Sequence, residues 1–335
     1  MKQFLSRLAS FLVIPAIAII ILLALYVYFD PFKVLRNYTD YSSAAVEPDR
    51  DYVSTEMFIK NHGKYNYNSF IFGSSRTVAF RPNSWRQYLP DGDSPFVFDA
   101  SDESVYGIDA KLKYLDAKNA EIKNALIIVC RDQTFAASEN SNSHLFTSHP
   151  ALSGESRFNF QMRFVKGYLT PRFLVNFYAY KVLGKYKTFM SGYIQNERII
   201  YDTITNEVSV LIREQNIAND PAYYEKRKDM FYVREGEQID SVQRISSKQL
   251  FMLQEIKRIL EKHKTSYKVI LSPLYEQMKF SSYDMGILRT LFGDHLFDFS
   301  GKNQFTEPVT NYYESSHYRP VVGDSILHLI YGKKD

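Results

Sequence analysis

The 335-residue sequence reads as an α/β protein, a three-layer sandwich with a mostly parallel sheet, preceded by one membrane-spanning helix. Three observations carry that reading. Short apolar runs bounded by turn residues recur along the chain, as buried parallel strands do. Stretches with apolar residues at helical spacing stand between them. Residues Leu8 to Phe29 are apolar without a single charge over about one bilayer thickness of helix.

Taken in order, the membrane segment comes first. Lys2 and Arg7 precede it, so the positive-inside rule keeps the N-terminus in the cytoplasm and sends the remainder across. A cleaved signal peptide has a shorter apolar core and a small-residue cleavage site, whereas this run is long and continues into bulky "YVYFDPF". It reads as an uncleaved signal anchor over residues 1–30, and Pro15 within it is tolerated in a membrane helix.

Residues 31–66 are more polar and read as a stalk with a first helix near "YVSTEMFIKNH". The α/β domain is expected over 67–335. "NSFIFGSS" (Asn68 to Ser75) fits a buried strand feeding a tight turn, and "SPFVFDAS" (Ser94 to Ser101) a second strand, followed by the helix "YGIDAKLKYLDAKNA". "NALIIVCRDQ" (Asn124 to Gln133) is a third. The region from about 135 to 245 breaks this rhythm and is too long for a plain loop, so it reads as an insertion with its own structure, including a hairpin-like "NERIIYDTITNEVSVLI". The helix "SSKQLFMLQEIKRILEKHK" then leads into the strand "YKVILSPLY". "HLFDFSG" and the helix "DSILHLIY" close the chain.

Composition narrows the classes. A single cysteine, Cys130, excludes an intrachain disulfide, so the exported domain must rely on its core. A net charge of +4 argues neither for nor against nucleic acid, and a location across the membrane argues against it. With 26 Tyr and 25 Phe, the aromatic surplus suits either sugar and protein contact or packing. His62, His144, His149, His263, His295 and His328 show no metal-ligand spacing, and no phosphate-binding or dinucleotide fingerprint follows any strand. Neither metal nor cofactor is expected.

In a parallel sheet, sites form beyond the carboxyl ends of the strands. The first strand is followed by Gly73-Ser74-Ser75-Arg76, where glycine permits a sharp turn that presents a hydroxyl. The last is followed by "NYYESSHYRP", with Glu314 and His317 three residues apart. Either alone is ordinary, since Gly-Ser-Ser turns and solvated Glu/His pairs are common. Together, at the first and last strand ends of one sheet, they offer a nucleophile, a base and a carboxylate to orient the base. Arg76 and Arg319 beside them suit either an anionic or sugar substrate or a structural pairing. The basic, aromatic stretch from Arg157 to Lys187 suits either lipid headgroups or a packed helix pair.

On "FIFGSSRT" and "FDFSGKNQFTEPVTNYYESSHYRPVVGDSILHLI", covering roughly residues 66–133 and 246–331, the chain resembles the SGNH (GDSL-like) hydrolases, and among them membrane-anchored SGNH-like proteins linked to acylation of cell-surface polymers. The resemblance implies Ser75 as nucleophile, His317 as general base and Glu314 as its orienting carboxylate, with Glu in place of the family's Asp. It implies oxyanion donors at the serine's own amide, at a glycine after the second strand and at an asparagine after the third. Here Ser101 and Ser104 stand nearest the second position, with Gly107 further on, and Asp132 or Gln133 replaces the asparagine. It further implies a bacterial cytoplasmic membrane, a periplasmic or extracellular domain, a glycan substrate and a multi-spanning O-acyltransferase as partner. Three functions remain open: a serine esterase or acyltransferase acting on acetyl or other short acyl groups of a surface polysaccharide, an inactive accessory module that binds the glycan or the partner, and, ranked last because it leaves the two strand-end motifs as coincidence, a purely structural envelope protein.

Overall fold

The computed structural model describes residues 2–136 and 146–332. Helix α1 (Lys2–Phe29) passes through Pro15 without a break and is long and apolar enough to cross a membrane. At 1.5 Å per residue its 28 residues extend about 42 Å, more than the ~30 Å hydrocarbon core. The chain then turns around Asp30, whose carboxylate accepts the amides of Val34, Leu35 and Arg36. Phe32, Val34, Tyr41 and Val46 are buried, so residues 30–49 pack on the domain and do not stand apart as a stalk. Helix α2 (Arg50–Tyr65) is capped by Asp49, which accepts the Tyr52 amide.

Strand β1 (Ser69–Gly73) runs into a 3-10 turn (Ser75–Ala79) and the short helix α3 (Pro82–Arg86). β2 (Pro95–Val97), α4 (Val105–Ala117) and β3 (Asn124–Val129) follow. Between the halves of the sheet come α5 (Pro150–Ser153), α6 (Arg157–Tyr168), α7 (Pro171–Leu183), the strands β4 (Ile200–Tyr201) and β5 (Val208–Ser209), α8 (Leu211–Asn219) and β6 (Gln238–Ile239). The chain closes with α9 (Ser247–Lys262), β7 (Ser266–Leu271), β8 (Met278–Lys279), α10 (Ser282–Phe292), β9 (Leu296–Asp298), β10 (Tyr312–Glu314), β11 (His317–Tyr318) and α11 (Pro320–Tyr331). A reciprocal cap between Ser246 and Gln249 starts α9.

Five strands form one parallel sheet in the order β2-β1-β3-β7-β9. Alternation along the strands divides the core in two. Phe70, Phe72, Ala125, Ile127, Val269 and Leu271 face α2, α4, α9 and α10, while Ile71, Leu126, Ile128 and Ile270 face α3 and α11. The expected α/β architecture with a parallel sheet and an N-terminal apolar helix is therefore present.

Residues 146–245 are sewn to this sheet. Phe160, Phe164, Phe173 and Phe177 join the first of the two cores. The backbone at Thr205 and the amide of Asn206 bond the N–H and C=O of Val97, at 2.9 and 2.7 Å, which covers the edge strand β2. β4 and β5 pair antiparallel, and β6 pairs parallel with β8. Much of the aromatic surplus is spent on packing: Phe58 alone contacts the rings of Phe70, Phe96, Phe98, Tyr67 and Tyr114.

Candidate active site

The sheet order reverses at β1, with β2 on one side and β3 on the other, so the carboxyl end of β1 opens on a crevice. Gly73 ends the strand at φ +147°, and a Cβ there would stand 2.8 Å from the Ile128 carbonyl oxygen. Only glycine lets the chain turn that close to β3. Ser74 turns inward against Cys130, and Ser75 opens the 3-10 turn at the crevice. The amide of Ser75 has no hydrogen-bond partner among the described residues, which leaves it available as a donor beside its own hydroxyl. Helix α11 crosses directly over this turn: Gly323 lies on the Ala79 carbonyl, with no room for a side chain.

The second half of the site comes from the antiparallel pair β10–β11. Glu314 and His317 face each other across it, with Ser315 and Ser316 as the tip. That register brings the two side chains together, and His317 Nδ1 bonds Glu314 Oε1. The other ring nitrogen, Nε2, is 2.8 Å from Ser75 Oγ. Partial burial pushes the Glu314 carboxyl up, but the His317 hydrogen bond and charge, the Ser316 amide at 2.6 Å and nearby Arg213 together hold it below the ordinary carboxylate range. An ionised carboxylate only accepts, so Nδ1 carries a ring proton, and in the neutral imidazole Nε2 presents its lone pair to the Ser75 hydroxyl.

Two arginines hold the hairpin. Arg76, the residue after the serine, is 8% exposed; its Nε donates to the Ser316 carbonyl at 3.1 Å, and its Nη1 to the Gln133 side chain and Cys130. Arg319 grips Glu214 of α8 through two bonds, at 3.0 and 2.6 Å, and also the Thr310 carbonyl. Glu214 accepts from the Tyr313 hydroxyl as well. Of the readings open for these arginines, the structural one describes what they touch; for Arg76 the partners are neutral acceptors, with no carboxylate in the set.

Beside Ser75 and His317 lies a pocket of about 360 Å³. One wall is β4, β5 and the start of α8, with Ile199, Val208 and Ile212; another is Tyr313 and Tyr318 from the hairpin. Its floor is an ion pair that the sequence did not single out. Arg50 meets Asp99 at 2.8 Å, stacks on the Tyr201 ring and bonds Asn206. Asp99 also accepts the Thr77 hydroxyl at 2.7 Å, so the pair is fastened to the turn that carries Ser75. A carboxylate just past the apolar run "FVF" was the one available signal; Arg50, in a polar stretch far upstream, offered none.

The remaining sequence candidates separate. Ser101 lines the pocket. Ser104 is buried at the N-cap position of α4, and Gly107 abuts the Glu103 side chain. Asp132 is exposed and accepts the Gln133 amide, while the Gln133 side-chain oxygen is taken by Arg76. None of these four lines the pocket, so the donors implied after the second and third strands reduce to Ser101.

Among the described residues no group of three or more His, Cys, Asp or Glu is placed to hold a metal ion. His149 contacts Glu56, His263 contacts Asp116, and His62 and His295 stack on Phe58 and Tyr267; His144 lies outside the described residues. No protein-family model matches the sequence and no curated protein matches it, so the geometry alone carries the functional argument.

Proposed function

We propose that the chain is a membrane-anchored serine esterase or acyltransferase, SGNH-like in arrangement, acting on acetyl or other short acyl groups of a cell-surface polysaccharide. The observation that carries this reading is the relay from Glu314 through His317 to Ser75, drawn from opposite ends of the chain. In the reaction the Ser75 hydroxyl gives its proton to His317 Nε2 as Oγ attacks the ester carbonyl. The carbonyl oxygen takes up the negative charge facing the Ser75 amide and Ser101. The tetrahedral species collapses by breaking the bond to the alcohol, which leaves with the proton from His317. Water or a sugar hydroxyl then attacks the acyl-serine by the same steps in reverse. In this reading α1 crosses the membrane from a cytoplasmic N-terminus, and the domain works outside, beside an O-acyltransferase that supplies acyl groups.

One observation favours a second reading, an inactive accessory module. Ser104, Gly107, Asp132 and Gln133 all miss the pocket, which leaves the oxyanion few side-chain donors. Labelling of the full-length protein with a fluorophosphonate decides between the two. Labelling abolished by both Ser75→Ala and His317→Ala supports the enzyme. A folded protein that resists the probe supports the accessory module.

A further inference from the structure

We infer that the face formed by α6, α7 and the turn after them, residues 157–189, lies flat on a phospholipid surface carrying anionic headgroups. The inference rests on α1 spanning the membrane, and adds where the domain sits relative to it. From Arg157 to Asn196 the sequence holds seven Lys or Arg and no Asp or Glu. Arg163 pairs with Glu155. Arg157, Lys166, Arg172, Lys181, Lys185 and Lys187 are all exposed. None of these six has a carboxylate partner among the described residues, in a chain whose net charge is only +4.

The same segment has two apolar faces. Phe160, Phe164, Phe173 and Phe177 point into the core, while Phe158, Val175, Val182 and Phe189 are 73, 65, 85 and 59% exposed. Large apolar side chains left uncovered among unpaired cations match what an interfacial helix presents to a bilayer.

Continuity with α1 selects the membrane over other partners. The Phe29 ring, at the end of α1, packs on Phe177 and Tyr178 of α7 at 5.7 and 6.1 Å, and Tyr26 packs on Tyr168 of α6 at 5.0 Å. The Lys181 ammonium stands 5.0 Å over the Phe29 ring. The basic face thus begins within one turn of the end of the span, at headgroup level. Each Lys or Arg near an anionic surface favours the docked orientation about fivefold, and the attraction fades beyond a Debye length.

The test uses the full chain in vesicles of phosphatidylcholine alone and of phosphatidylcholine with one third phosphatidylglycerol, each doped with a headgroup-level nitroxide lipid. The native Cys130 is buried, so an added cysteine takes the fluorophore. A probe at Val182→Cys is compared with one at Gln87→Cys, just after α3, which packs on the other face of the sheet. Quenching at 182 that exceeds 87 in phosphatidylglycerol vesicles, and falls several-fold in Lys181→Gln/Lys185→Gln/Lys187→Gln and in high salt, is the expected result. Equal quenching at the two positions, in protein that floats with the vesicles after a carbonate wash, overturns the docked face and leaves the anchor intact. Protein that no longer floats overturns the anchor, and the docked face with it.

Discussion

Arg76 offers the sharpest test of how the site is held. Its guanidinium is almost fully buried and spans three acceptors: the Ser316 carbonyl at 3.1 Å, the Gln133 side chain and the Cys130 sulfur. Arg76→Ala removes the donors and leaves the carbonyl of the hairpin tip facing a cavity. A hydrogen bond from a charged donor is worth about 1.5–3 kcal/mol, and with partial resolvation of Ser316 at the crevice the net loss comes to about 3 kcal/mol. At about 2.1 cal/mol/K of unfolding entropy per residue over roughly 300 residues, each kcal/mol is worth about 1.5 °C, so the melting temperature drops by about 5 °C. The effect on chemistry is larger than that figure implies. The same carbonyl is one residue from His317, and a shift of ~1 Å at a reacting group costs about a hundredfold in rate. Arg76→Lys keeps the charge but cannot span all three acceptors, so it falls between the two. Melting and fluorophosphonate labelling rates, measured together, check both numbers. An Arg76→Ala protein labelled within twofold of the parent, with an unshifted melt, would refute the claim that this side chain positions the base.

Two further expectations concern protons. Glu314→Gln can turn its amide N–H₂ toward His317 and favour the wrong tautomer, so labelling falls by about a thousandfold or more while the melt stays within a few degrees; unchanged labelling would show that the carboxylate is dispensable. Burial, with help from Asp51, pushes the Asp49 carboxyl up to about 8 despite the amides of Tyr52 and Thr147 that it accepts. The folded chain therefore keeps a proton that the unfolded chain has already released. Stability contributed by this group falls as pH rises from the ordinary carboxylate range to about 8 and is level above it. Melting temperatures from pH 5 to 9 should show that slope, and Asp49→Asn should flatten it; an equal slope in both proteins would assign it elsewhere.

What the sequence disclosed was local. Apolar runs such as "NALIIV" need only their own residues to be recognised as buried strands, and Gly73 with Ser75, or Glu314 with His317, lie within a turn of each other. Contacts between distant segments were not legible. Lys111 sits in a stretch that reads as an ordinary amphipathic helix, yet it is fully buried between Asp51 and Glu103. Arg50 and Asp99 become a pocket floor only when α2 and β2 meet. The polar composition of residues 31–49 hid Phe32, Val34, Tyr41 and Val46, whose irregular spacing belongs to no helix or strand but still finds a core. Nor did any pattern show that 199–212 would wall the pocket, because that stretch takes its place from bonds to Val97.

The relay joins residues 242 apart in sequence, with the nucleophile far upstream of its base. A ribosome adding residues N-terminal first completes α1, β1 and the pocket floor long before it reaches the hairpin. Until then Ser75 is an ordinary alcohol with no base beside it. Helix α11, which seats Gly323 on the Ala79 carbonyl, is made after the hairpin. In the proposed esterase, a chain ended before the hairpin is therefore chemically silent, and the hydroxyl acquires reactivity only when α11 closes over the turn that bears it.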